Sequence, residues 1–114
     1  MARLKATTYE ALRALHENHC PCKIGYNTQS WIDSLDIITI QLHGHNIVRL
    51  YPSGRIDFTL AGWPTVTTRD RINQFIQGSL WQENHVQYYN FYPIDPNKWY
   101  RSTFSTDSPP VEAI

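Results

Sequence analysis

Long apolar runs are missing from this sequence. No stretch of its 114 residues approaches the ~18 apolar residues that cross a bilayer, and Met1-Ala2-Arg3-Leu4-Lys5 lacks the apolar centre of a secretory leader. No membrane partner and a cytoplasmic location are therefore expected. Cysteine is scarce: the pair, Cys20 and Cys22, has one residue between, too close for an unstrained bridge, so reduced thiols are expected. Net charge is absent, with ten basic residues against ten acidic ones. That balance argues against a long nucleic acid as partner, which usually needs a net basic footprint. The five glycines form no phosphate-cradling loop, and no Gly-x-Ser-x-Gly elbow is present. His16, His19, Cys20 and Cys22 do not have the spacing of a standard zinc site, so neither a metal nor another cofactor is expected.

Aromatic residues are plentiful. Four Trp, seven Tyr and four Phe add large buried areas to a chain that is 41% hydrophobic. A chain of this length suits a single small domain, and a homo-oligomer is a reasonable way to bury more surface. Seven of the ten basic residues are Arg, the better donor for bidentate phosphate contacts.

The pattern predicts an α+β fold: an antiparallel sheet of about five or six strands, two helices and an extended C-terminal tail. Thr7 followed by Glu10 resembles a capping box, and Tyr9, Leu12 and Leu15 make an apolar stripe, so a first helix is predicted over 8–18. Strands are predicted over 23–28, 35–43, 45–51 and 55–60, with a turn over 30–34. In the second of these Ile38, Ile40 and Leu42 alternate with Thr39, Gln41 and His43. Gly44 then marks a bulge or tight turn, and Pro52-Ser53-Gly54 a hairpin turn. A second helix is predicted over 68–77, capped by Thr67 with Asp70 three residues on, buried through Ile72, Phe75 and Ile76, and stopped by Gly78. A hairpin across Asn84 occupies 80–92. From Pro93 to the end, 93–114, proline-rich sequence without periodicity predicts a tail pinned by Trp99, Tyr100 and Phe104.

Three places suggest chemistry. Thr67, Thr68, Arg69 and Arg71 surround a predicted helix start, where free N–H groups and the helix dipole favour an anion. A capped helix with solvated arginines is the plainer reading of the same residues. Trp63, in a Gly-Pro turn just before, is either a stacking platform for a base or a lid on the core. His43 and His45 flank Gly44, and a histidine at a strand end suits general acid–base work; a polar sheet face is the alternative. Lys23, with Asn27 and Thr28, gains interest only if the sheet carries it toward His43.

The residues Leu42-His43, Tyr51-Pro52-Ser53-Gly54 and the string from Gly62 to Asn73, read as Gly-Trp-x-Thr-x-Thr-Thr-x-x-Arg-x-Asn, resemble a widespread group of small tailed-phage proteins. Lys23 and Asn27-Thr28 belong to the same resemblance, which spans Lys23 to Tyr92. Where those proteins often carry Thr two residues after the histidine, this chain carries His45. The resemblance implies a phage accessory protein in the host cytoplasm, of the kind that acts on nucleotide immune signals.

On that footing two functions compete, with cleavage the first expectation and capture its alternative. One is metal-independent cleavage of a cyclic oligonucleotide, with His43 as base, His45 or Lys23 as acid, and Thr67, Thr68, Arg69 and Arg71 as phosphate clamp. The other is capture of a cyclic nucleotide or a cyclic ADP-ribose-type signal. Trp63, Thr65, Asn73, Asn27 and Thr28 would complete the ligand contacts in either case. A protein-binding inhibitor or structural role is the third expectation.

Overall fold

The computed structural model describes residues 3–17, 20–103 and 109–113. The fold is α+β. Helix α1, Tyr9–Leu15, starts at Thr8, whose extended backbone and hydroxyl, accepting from Ala11 N at 3.2 Å, make it the N-cap. Thr8, not Thr7, therefore supplies the capping oxygen. The helix stops at Leu15, short of the predicted end, because His16 N divides between the Leu12 and Arg13 carbonyls. Asn18 lies outside the described residues.

Strands β1 (Cys22–Gly25), β2 (Thr28–Ile32), β3 (Ile38–Leu42), β4 (His45–Leu50) and β5 (Ile56–Phe58) follow, each antiparallel to the one before. Two expectations change here. The run 23–28 is not one strand but the end of β1, a turn, and the first residue of β2. The predicted turn over 30–34 is largely strand. The third inward residue of β2, Ile32, packs against the core; the first two are the small hydroxyls Thr28 and Ser30, both fully buried, which hydropathy reads as a turn. Their oxygens are satisfied: Thr28 donates to Tyr26 O at 2.8 Å, and the Ser30 hydroxyl pairs with His16 Nε2 at 2.8 Å. The real turn lies later, where Asp33 Oδ1 accepts from Leu35 N and Ile37 N, so β3 starts at Ile38 rather than at residue 35.

Helix α2 runs Val66–Asn73 and is capped by Thr65, whose hydroxyl accepts from Thr68 N at 3.1 Å. The predicted cap at Thr67 is overturned, because Thr65 keeps the extended backbone a cap requires (φ −95°, ψ 163°) while Thr67 is already helical. The helix ends before residue 77, since Gln74 N and Phe75 N already bond carbonyls three residues back.

Strands β6 (Leu80–Glu83), β7 (Val86–Tyr89) and β8 (Tyr92–Ile94) form a separate three-stranded antiparallel sheet. The segment 93–114 is not simply an extended tail. Ile94 closes β8, β9 (Tyr100–Arg101) pairs with β5, and β10 (Val111–Glu112) pairs with β9. The large sheet thus has seven strands, ordered β1-β2-β3-β4-β5-β9-β10. Tyr100 explains the recruitment: it is buried beside Phe58, with ring centroids 6.1 Å apart, and its hydroxyl accepts from Asp95 N. Trp99 also serves as an anchor, through Arg49 stacked on its ring. Phe104 lies outside the described residues.

One face of the large sheet carries Ile38, Ile40, Leu42, Val48, Leu50 and Phe58, which with Leu12, Ile72 and Tyr89 form the core. Both helices and the small sheet contribute to that core, so they cover this inner face; the opposite, outer face is partly shielded, with Arg49 over the Trp99 ring and Asp57 buried. No helix in the described residues is long and apolar enough to cross a membrane.

Candidate functional site

A cavity of about 420 Å³ opens on the inner side, where the β3–β4 hairpin, the end of β5 and the start of α2 meet. Its floor is aliphatic: Leu42, Ile47 and Leu60, each nearly fully buried. Its rim is polar and aromatic: His43, His45, Trp63, Thr65 and Thr67.

Local backbone chemistry builds each wall. Leu42 pairs with His45, and the two residues between them, His43 (φ 52°) and Gly44 (φ 81°), both adopt left-handed conformations. That is a type I′ turn, whose twist suits a two-residue hairpin. His43 therefore sits at the hairpin tip instead of continuing the strand alternation, and its N–H donates to Asn27 O at 2.9 Å. A bulge after Ile40 inserts Ile47 as an extra residue in β4 and turns it into the floor.

A second turn of the same type, Leu60–Trp63, places the indole. Ala61 (φ 53°) and Gly62 (φ 76°) are its central residues, and Trp63 N donates to Leu60 O at 2.8 Å. Gly62 is required there: a Cβ would stand 2.8 Å from Asn97 Oδ1. Trp63 is 55% exposed and its ring lies 5.5 Å from that of His45, tilted by 39°. Thr65 and Thr68 share a hydrogen bond of 2.9 Å, which commits both hydroxyls to the cap.

His43, His45, Trp63, Thr65, Thr67 and Thr68 are thus brought together. The other candidates are placed elsewhere. Arg69 Nη1 donates to Pro64 O, Gln82 Oε1 and Gln87 Oε1 at 2.9–3.1 Å, fastening α2 to the small sheet. Arg71 is buried; its Nε donates to Thr28 Oγ1 at 3.2 Å and its Nη1 to Asp70 Oδ2 at 2.8 Å. Asn73 bonds both backbone groups of Leu80, at 2.8 and 3.0 Å, and so starts β6. Thr28 is Arg71's partner in the core. Lys23 points to the outer face of the sheet, away from the cavity, as the register Lys23↔Gln29↔Gln41 requires. Asn27 lines a smaller depression of about 230 Å³ with Gln29, Gln41, His43 and Gly44.

In the sequence Leu42, Ile47 and Leu60 look like ordinary strand core, and the only signal was their adjacency to His43, His45 and Gly62. Among the described residues no group of three or more His, Cys, Asp or Glu could hold a metal ion. Cys20 and Cys22 are free thiols, one exposed and one buried.

Comparison with protein families places the chain among tailed-phage proteins. Residues 4–108 match the model of the Kyanoviridae Gp96 protein family, and the chain belongs to that family. No curated protein and no solved structure matches it.

Proposed function

We propose that this phage protein is a counter-defence factor that captures a host nucleotide second messenger in the cytoplasm and holds it intact. The observation that carries the reading is the cavity itself: a buried aliphatic floor beneath an indole, two imidazoles and threonine hydroxyls, with no Lys or Arg among its lining. Such a volume falls within the usual range for small-ligand sites, about 300–1,000 Å³. A planar base is apolar on its faces and polar at its edges, which suits an aliphatic floor and a hydroxyl rim. Trp63 stacks on the base, and the ligand's phosphates stay outside, toward the positive end of α2.

Capture is favoured over cleavage because phosphodiester transfer needs donors aimed at the developing negative charge. Arg69 and Arg71, the strongest donors in the motif, are hydrogen-bonded away from the cavity. One observation supports cleavage as the second reading. His43 and His45 line the same cavity, so a base and an acid would be at hand.

The test is incubation with a panel of cyclic dinucleotides and cyclic ADP-ribose isomers, heat release, and chromatography of the supernatant. Intact ligand supports capture, and linear product that disappears with His43→Ala supports cleavage. Absence of calorimetric heat across the panel sinks both and leaves a protein-binding role.

A further inference from the structure

The composition cancels charge, but the fold separates it. On the outer face of the large sheet, opposite the core, pairing register aligns Trp31, Thr39, Arg49, Asp57, Arg101 and Val111 in one row across six strands. Beside it runs a second row, Lys23, Gln29, Gln41 and Asn46. Arg55 lies two residues before Asp57 on the same face, over the Tyr51 ring. Among the described residues this face therefore holds Lys23, Arg49, Arg55 and Arg101, against Asp57 and, at the turn two residues beyond Trp31, Asp33. Asp57 is 3% exposed and ion-paired to Arg55 at 3.0 Å, so those two charges offset each other and Lys23, Arg49 and Arg101 carry the excess.

Aromatic rings interleave with these cations. Trp31 is 39% exposed, and its indole N–H donates to Gln41 Oε1 at 3.0 Å, which lays the ring across β3. Gln41 in turn donates to Asn46 Oδ1 at 2.8 Å. Arg49 lies 4.4 Å above the Trp99 ring. With strands ~4.8 Å apart, the row from Trp31 to Val111 is on the order of 24 Å long. A polar, cationic sheet face with tethered rings is the surface on which unpaired bases stack while their phosphates meet arginine and lysine.

The geometry points to this face as a binding surface for single-stranded nucleic acid, separate from the cavity on the opposite side of the sheet. The charge excess selects a polyanion, and the rings select one with aromatic groups along its length, which an acidic polypeptide lacks. Affinity comes from local charge, so a net charge of zero on the chain does not prevent it.

The experiment titrates the full-length protein into a fluorescein-labelled oligothymidine long enough to cross the sheet, following anisotropy over a range of salt concentrations. Binding is expected to weaken with salt. Lys23→Gln with Arg101→Gln, both exposed, should flatten the log–log salt slope by about 1.4, since each single-strand phosphate contact contributes roughly 0.7. Trp31→Ala should cost about five- to a hundredfold in affinity. Trp81→Ala, equally exposed at 39% but on the small sheet, should leave affinity unchanged. Equal losses in the two Trp variants, salt-independent binding or no binding would overturn the assignment. So would tighter binding of a polyglutamate of matched length, which would mark the face as a site for acidic protein.

Discussion

Arg71→Met tests whether the motif arginine is a ligand clamp or a strut. In the fold it is a strut. Its Nε donates to fully buried Thr28, and its Nη1 to Asp70, whose Oδ2 also accepts from Gln74 Nε2 at 3.2 Å. Gln74 Oε1 accepts from Leu4 N at 2.8 Å, so one chain of bonds ties β2, α2 and the N-terminal segment. Methionine keeps most of the side-chain volume and removes only the donors. A fully buried pair that loses one partner costs about 3–5 kcal/mol, and an exposed pair about 0–1. Arg71 is buried but the Asp70 side chain is 28% exposed, so water can solvate the orphaned carboxylate. Thr28 keeps its bond to Tyr26 O and loses only an accepted proton. The expected loss is therefore intermediate, about 2–3 kcal/mol. In urea unfolding followed by tryptophan fluorescence, that moves the midpoint down by roughly 1–2 M at an unchanged slope. A double-mutant cycle with Thr28→Val should return a coupling on the order of 1 kcal/mol. If Arg71→Met unfolds at the wild-type midpoint but loses nucleotide affinity, the strut assignment is wrong and the clamp survives.

Other outcomes follow from the same geometry. Thr65→Ala should cost about 1 kcal/mol of stability through loss of the α2 cap, while Thr67→Ala should cost almost none; the two are compared by thermal melts. Asn73→Ala leaves the Leu80 N–H and C=O without their partners, and a loss of about 2 kcal/mol in denaturant titration is expected. Gly44→Ala meets no atom within 4 Å, so its cost, about 1–2 kcal/mol, is purely that of a left-handed backbone, and Gly44→Asn should recover much of it. Trp63→Ala should leave the melting temperature nearly unchanged yet weaken capture of a base at least tenfold by calorimetry, since the indole is more than half exposed.

The α+β class was readable because its cues are local. Period-two alternation from Ile38 to Leu42 and the apolar spacing of Ile72, Phe75 and Ile76 each report on one element. β2 was not readable as a strand: two of its three inward residues, Thr28 and Ser30, are polar, and only His16, Arg71 and Tyr26 make their burial acceptable. β9 was not readable either, because two residues of strand carry no periodicity until Phe58 and Asp57 stand opposite them.

The site divides the same way. The residue types, imidazole, indole and hydroxyl beside a helix start, are properties of the sequence, as are the glycines that permit the two left-handed turns presenting them. Direction is not. Whether a guanidinium faces a ligand, a neighbouring glutamine or a buried threonine depends on what packs within about 3 Å of it. Charge divides likewise: the sequence sets the total at zero, and strand pairing alone places Lys23, Arg49, Arg55 and Arg101 on one face. The sum of charges is indifferent to order, whereas the field at a surface depends on where each charge stands.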